Sequence, residues 1–208
     1  MVGEKIYFDE EVKGHKLLVS SDVIVFKGKR FNTSSVDGVT TTVFRQSVNG
    51  IPTAATYNIA ITANSDNLTV MCAGIFWFGK SQYERLRSAI AEAVGNRLVT
   101  DALKKLSAGE TMTFDHKGSI FEKTSRFTLS RTGIQIEQIG MVSHKNVTIE
   151  WRNLNMQNSN GSCFLRCYST GQKVSFQMWH MSNNMVFSGI LNFMLDKANY
   201  RHFEKLSQ

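Results

Sequence analysis

The densest group of cations is Phe26-Lys27-Gly28-Lys29-Arg30-Phe31, in which Lys27, Lys29 and Arg30 flank a tight Gly turn. Closely spaced ammonium and guanidinium donors suit an anionic phosphate, because hydrogen bonds between ionised partners are the strong ones. That chemistry is binding of an anionic lipid head group or a similar ligand, not bond cleavage. The other reactive side chains do not form reacting sets. His15, His116, His144, His180 and His202 lack HxH or HExxH spacing, so no metal and no cofactor are expected. No GxSxG, P-loop or GxGxxG occurs. Asp9-Glu10-Glu11 stand in a polar amino-terminal stretch, whereas acid–base chemistry needs carboxyls converging in a cleft. The residues therefore read as those of a non-enzymatic protein.

Composition narrows the class further. Of 208 residues, 42% are hydrophobic and 20% charged, which predicts a packed globule. The net charge of +7 is spread along both halves without a basic tail, so nucleic acid is not the expected partner. Cys72, Cys163 and Cys167 are odd in number and lack a CxxC pair. Cys163 and Cys167 on one strand would be ~13 Å apart, too far for a disulfide. All three are expected as reduced core thiols in a reducing compartment. The amino terminus has no apolar leader core, and no run reaches the length of a transmembrane helix. A cytoplasmic protein is expected, with any membrane contact peripheral.

The elements that must position these residues come in two rounds. Residues 16–76 alternate like strands, with Asn49-Gly50 as a hairpin signal. Ser81 and Glu84 form a capping box for a helix whose stripe is Tyr83, Leu86, Ala89, Ile90, Ala93 and Val94. After an interruption at Gly95-Asn96, a second stripe runs from Leu98 to Leu106 and stops at Gly109. Strands return from Thr111, with Phe127, Ile134, Ile136 and Ile149 as core and Trp151 at a strand end. After a cap cluster, Ser182-Asn183-Asn184, a helical pattern from Met185 closes the chain. Strands then helix, twice, predicts a polar segment 1–15, a first domain 16–108 that includes a helical connector, and a second domain 109–208 with a long C-terminal helix.

The order of elements resembles the pleckstrin-homology-like (PH-like) fold, a bent antiparallel sheet or partly open barrel closed by a C-terminal helix. Ser130 to Ile134 resembles the Ser-X-X-Gly-Ile turn of bacterial PH-like domains. Ile149-Glu150-Trp151 with Leu154 resembles their Ile-X-Trp-X-X-Ile element. Residues 43–61 resemble a hairpin of a bacterial family of unknown function with two PH-like repeats. The resemblance implies an α+β, mainly β chain of tandem PH-like domains, and none of its motifs is catalytic. In lipid-binding PH domains an early hairpin offers basic side chains to phosphoinositides, the place Lys27, Lys29 and Arg30 hold here.

The functional expectation is a binding or scaffolding module that recognises a protein or peptide through a sheet edge or the groove beside a closing helix. The alternative is peripheral binding of anionic membranes through Lys27, Lys29 and Arg30. Ile75 to Phe78 stand where a strand hands over to a helix, so Trp77 and Phe78 are expected in a core or a domain interface. The last helix is apolar on nearly every side. Phe187, Ile190 and Phe193 should therefore meet something besides their own sheet, either the first domain or a second copy in a homodimer.

Overall fold

The computed structural model describes residues 4–48, 51–75, 78–117, 124–139, 144–159 and 162–206. The chain is mainly β, with four antiparallel sheets among the described residues. It divides into two compact units, Met1–Leu98 and Val99–Gln208. The division lies within a helix, ahead of Gly109.

The first unit opens with a meander of β1 (Ile6–Val12), β2 (His15–Ser20), β3 (Val23–Phe26) and β4 (Lys29–Asn32), paired in that order. The polar amino-terminal stretch, expected to lie outside the first domain, thus supplies its first strand. Phe8 and Val12 are buried while Asp9 and Glu11 face water, and that alternation makes a half-buried strand out of a mostly charged run. Both residues of the Lys13-Gly14 and Lys27-Gly28 turns have positive φ, the geometry whose twist matches the strands it joins. A 3-10 turn (Thr33–Ser35) leads to β5 (Val36–Val48), β6 (Ile51–Ala63) and β7 (Asp66–Ile75), a second sheet. Helix α1 (Phe78–Ile90) continues through a π turn (Ala91–Gly95) into α2 (Asn96–Ser107). Gly95-Asn96 therefore does not interrupt the helix; one wide turn absorbs it. The helix begins before Ser81, so Ser81 lies inside the first turn and does not cap it. Leu86 and Ile90 of α1 join Val12, Leu17, Ile24, Ile59 and Val70 in a fully buried core.

The second unit repeats the order. β8 (Met112–His116), β9 (Thr124–Leu129), β10 (Gly133–Ile139) and β11 (His144–Glu150) form a four-stranded sheet. A 3-10 turn (Trp151–Asn153) leads to the three-stranded sheet of β12 (Leu154–Ser159), β13 (Ser162–Cys167) and β14 (Lys173–Gln177). Helix α3 (Asn184–Leu195) follows, then α4 (Lys197–Leu206). The long closing helix is thus two helices. Asp196 is extended, with ψ of 118°, and its carboxylate accepts from the amides of Ala198 and Asn199 at 2.9 and 3.0 Å, capping α4. Phe203 of α4 is buried, so this helix docks on its unit. Phe127 packs against Phe176 and Phe187 with ring centroids 4.6 and 5.4 Å apart, the aromatic centre of the core.

The repetition reaches single hydrogen bonds. Ser20 is the last residue of β2 and Ser130 the residue just after β9, and each hydroxyl accepts from the amide two residues on, Asp22 and Thr132, at 3.3 Å. Thr33 and Trp151 open the two 3-10 turns, and their amides donate to the carbonyls of the same Asp22 and Thr132 at 2.9 and 3.2 Å. Gly3-Glu4 with Phe8-Asp9 recurs in sequence as Gly109-Glu110 with Phe114-Asp115. Cys72, Cys163 and Cys167 are free and buried. Among the described residues no helix is long and apolar enough to cross a membrane.

Candidate binding surfaces

The β3–β4 hairpin places Lys27, Lys29 and Arg30 together at its tip, yet they are not equivalent. Lys29 Nζ is 2.9 Å from Asp66 Oδ1 and donates to the Asn67 carbonyl at 2.9 Å. The hydrogen bond from Lys29 holds the Asp66 carboxyl below its usual range. Lys27 Nζ sits 5.4 Å from the centroid of the Phe26 ring. Arg30, opposite Val25, is exposed and makes no ion pair among the described residues. An anion at this tip would meet Arg30 and Lys27, with Lys29 already engaged.

Of the residues expected at an interface, Trp77 lies outside the described residues, as does the side chain of Phe78. Phe187 and Ile190 are fully buried, and Phe193 is half-buried. The core of their own unit accounts for the burial of Phe187, whose ring meets Phe114 at 5.1 Å. Gly189, on the same helix, lies directly against Val99 of α2, leaving no room for a Cβ. The connector helix therefore covers part of the apolar surface of α3. Periodicity could mark that surface as broad but could not say which element would cover it.

A cleft of about 430 Å³ in the second unit is lined by Arg131, Thr132, Glu150, Arg152, Tyr200 and Glu204. Its charges are largely matched internally. Arg152 Nε donates to Glu150 Oε2 at 2.6 Å, and Tyr200 is bonded to Glu204. Burial and that carboxylate push the Tyr200 hydroxyl up to about 12, so it stays a neutral donor. Arg131 has no ion-pair partner among the described residues, and Glu204 is hydrogen-bonded to the neutral Tyr200 rather than salt-bridged to a cation.

The first unit has a groove of about 570 Å³ between β1 and α1. Asp9, Glu10, Glu84 and Glu92 line it with one guanidinium, Arg85. Arg85 grips Glu10 with two hydrogen bonds of 2.9 and 2.8 Å, and the first effect of this grip is to lower the Glu10 carboxyl below its usual range. β1 is the edge of its sheet. The two-residue turn after Val12 makes Val12 and His15 a hydrogen-bonded pair, so Glu10 and Phe8 also bond to β2. The amides and carbonyls of Asp9 and Glu11 then point outward to α1. Gln82 Nε2 confirms the direction by donating to the Glu11 carbonyl at 2.9 Å. No described residue bonds to the outward amide or carbonyl of Asp9. The three consecutive carboxylates Asp9-Glu10-Glu11 hide this edge strand in the sequence, where they read as a polar segment ahead of the first domain. The recurrence of Phe-Asp at 8–9 and 114–115 was the signal that this stretch is a strand.

Compared with known proteins, the chain matches no protein-family model, and no curated protein is significantly similar to it.

Proposed function

We propose that each unit is a PH-like module and that the chain is a non-enzymatic binding or scaffolding protein recognising a protein or peptide partner. The fold reading is supported by the shared order of a four-stranded meander, a 3-10 turn, a three-stranded meander and a closing helix. The functional reading is carried by the groove of the first unit, where an edge strand with unpaired backbone groups runs beside a helix. An unpaired edge invites another strand, and a wall of side chains next to it can select among sequences. Selection of peptides from a random displayed library, followed by mapping of amide chemical shifts, tests this reading. Selected peptides that perturb β1 and α1 support it, and failure to select any peptide removes it.

A second reading, binding of anionic membranes, is favoured by the exposed pair Lys27 and Arg30 on one hairpin. Its test is co-sedimentation with vesicles that contain or lack phosphatidylserine.

A further inference from the structure

The two units treat the same sheet edge differently. In the second unit the outer edge of β8 is closed by the chain itself. Asp115 donates its amide to Ser182 Oγ at 3.1 Å and accepts from the Ser182 amide at 2.9 Å. Lys117 donates to the His180 carbonyl at 3.1 Å, and His116 and Met181 form an antiparallel bridge. The covering stretch belongs to the connection 178–183 between β14 and α3. In the first unit the corresponding connection, between β7 and α1, is only residues 76–77. Asp9, in the place of Asp115, has its outward amide and carbonyl unbonded by any described residue.

We infer that the outer edge of β1 accepts an extended, Lys- or Arg-bearing segment of a partner protein, added antiparallel between β1 and α1. This rests on the reading of the chain as a peptide-binding module and names the site and chemistry of the peptide. The orientation follows from residues 180–182 on β8, the molecule's own example of a strand in this position. The charge follows from the groove. In a protein of net charge +7, its lining offers four carboxylates against one guanidinium. Arg85 is spent on Glu10, while Asp9 and Glu84 meet Lys16 and Lys80 only in exposed pairs of 3.2 and 3.6 Å, which an incoming cation can replace at little cost, and Glu92 has no ion-pair partner among the described residues. On an added strand, every second side chain would stand beside Asp9 and Glu11 on the outer face, where opposite charges on neighbouring strands attract. The alternate positions would face Ala89 and Ser88, whose short side chains carry no charge.

The probe is a short labelled peptide alternating Lys and Val, titrated with the whole chain and followed by fluorescence anisotropy. Saturable binding that weakens as salt rises is expected, with no binding of a Glu and Val counterpart. Methylating alternate backbone nitrogens of the peptide should weaken binding about tenfold, because strand addition depends on those donors. Asp9→Pro removes the outward amide while leaving the bonds to β2, and should weaken binding to the same degree. Asp9→Asn keeps that amide and should weaken it less. The methylated peptide makes the same test with the protein unaltered, should Asp9→Pro unfold. Amide shifts should move at Asp9, Glu11, Gln82 and Arg85. A methylated peptide that binds as well as its parent, or shifts confined to other surfaces, overturns the inference. Library peptides that occupy this groove without basic residues overturn it too, yet leave the peptide-binding reading standing.

Discussion

The indole Nε1 of Trp151 donates to the Ser130 carbonyl at 3.0 Å, while the Trp151 amide donates to the Thr132 carbonyl at 3.2 Å. One residue thereby ties the β9–β10 turn to the end of β11, and with it the Arg131 and Thr132 side of the cleft. Trp151→Phe keeps most of the packing and loses one donor, so it should cost about 1 kcal/mol. Trp151→Ala also empties a buried volume and should cost about 3–5 kcal/mol. Urea denaturation of the three proteins checks the order.

Two glycines test how close the chain passes itself. A Cβ on Gly133 would run into the Ile149 carbonyl and the Glu150 Cα, both backbone of the paired strand. Neither can turn aside, so Gly133→Ala should destabilise by about 1–3 kcal/mol. A Cβ on Gly189 would meet only the side chain of Val99. Gly189→Ala should therefore cost less when combined with Val99→Ala than alone, a coupling that a double-mutant cycle reads.

The thiols give a pH dependence with a definite sign. Hydrogen bonds from Ser169 and Thr170 hold Cys167 down to about 7, while burial pushes Cys163 up to about 12. An unfolded thiol titrates near pH ~8.5. Lowered in the fold, Cys167 stabilises fully above ~8.5, and its contribution is lost as the pH falls to about 7. Cys163 acts oppositely. Its contribution is present below ~8.5 and fades as the pH rises towards about 12. Chemical denaturation from pH ~7 to ~8.5 should show stability rising, and Cys167→Ser should flatten that rise.

At the basic hairpin, the peptide reading predicts that Lys27→Ala and Arg30→Ala leave sedimentation with phosphatidylserine vesicles unchanged. A clear loss of bound protein in either variant would favour the membrane reading. Lys29→Ala is the control that breaks the tie to Asp66 and Asn67. That exposed pair should contribute little to stability, so Lys29→Ala should leave the melting of the protein nearly unchanged.

The C-terminal helices bear on self-association. With Val99 against Gly189 and Phe187 and Ile190 in the core, Phe193 is the half-buried aromatic on which a homodimer would rest. Sedimentation equilibrium of the wild type and Phe193→Glu over a concentration series should give a monomer for both. A dimer dissolved by Phe193→Glu would give the homodimer reading its interface.

Periodicity and turn chemistry determined much by themselves. Alternating Val, Ile, Phe and Thr with Gly-, Asn- and Ser-rich breaks specify strands, because side chains on a pleated sheet change face at every residue. The apolar stripe through Leu86 and Ile90 specifies the helix, and both residues are buried against the sheets. Phe127, Ile134, Ile136 and Ile149 read as core, and all four are fully buried. What the sequence could not decide was partnership, because contacts between distant residues leave no local period. Nothing near Lys29 announces Asp66, which reaches it only when the β6–β7 turn comes beside the β3–β4 hairpin. Asp9-Glu10-Glu11 look like a solvated run until pairing with β2 turns them into an edge. Whether such an edge is closed depends on segments far along the chain. At β8 the connection 178–183 reaches back to bond Asp115, whereas at β1 no described residue bonds to the outward amide or carbonyl of Asp9.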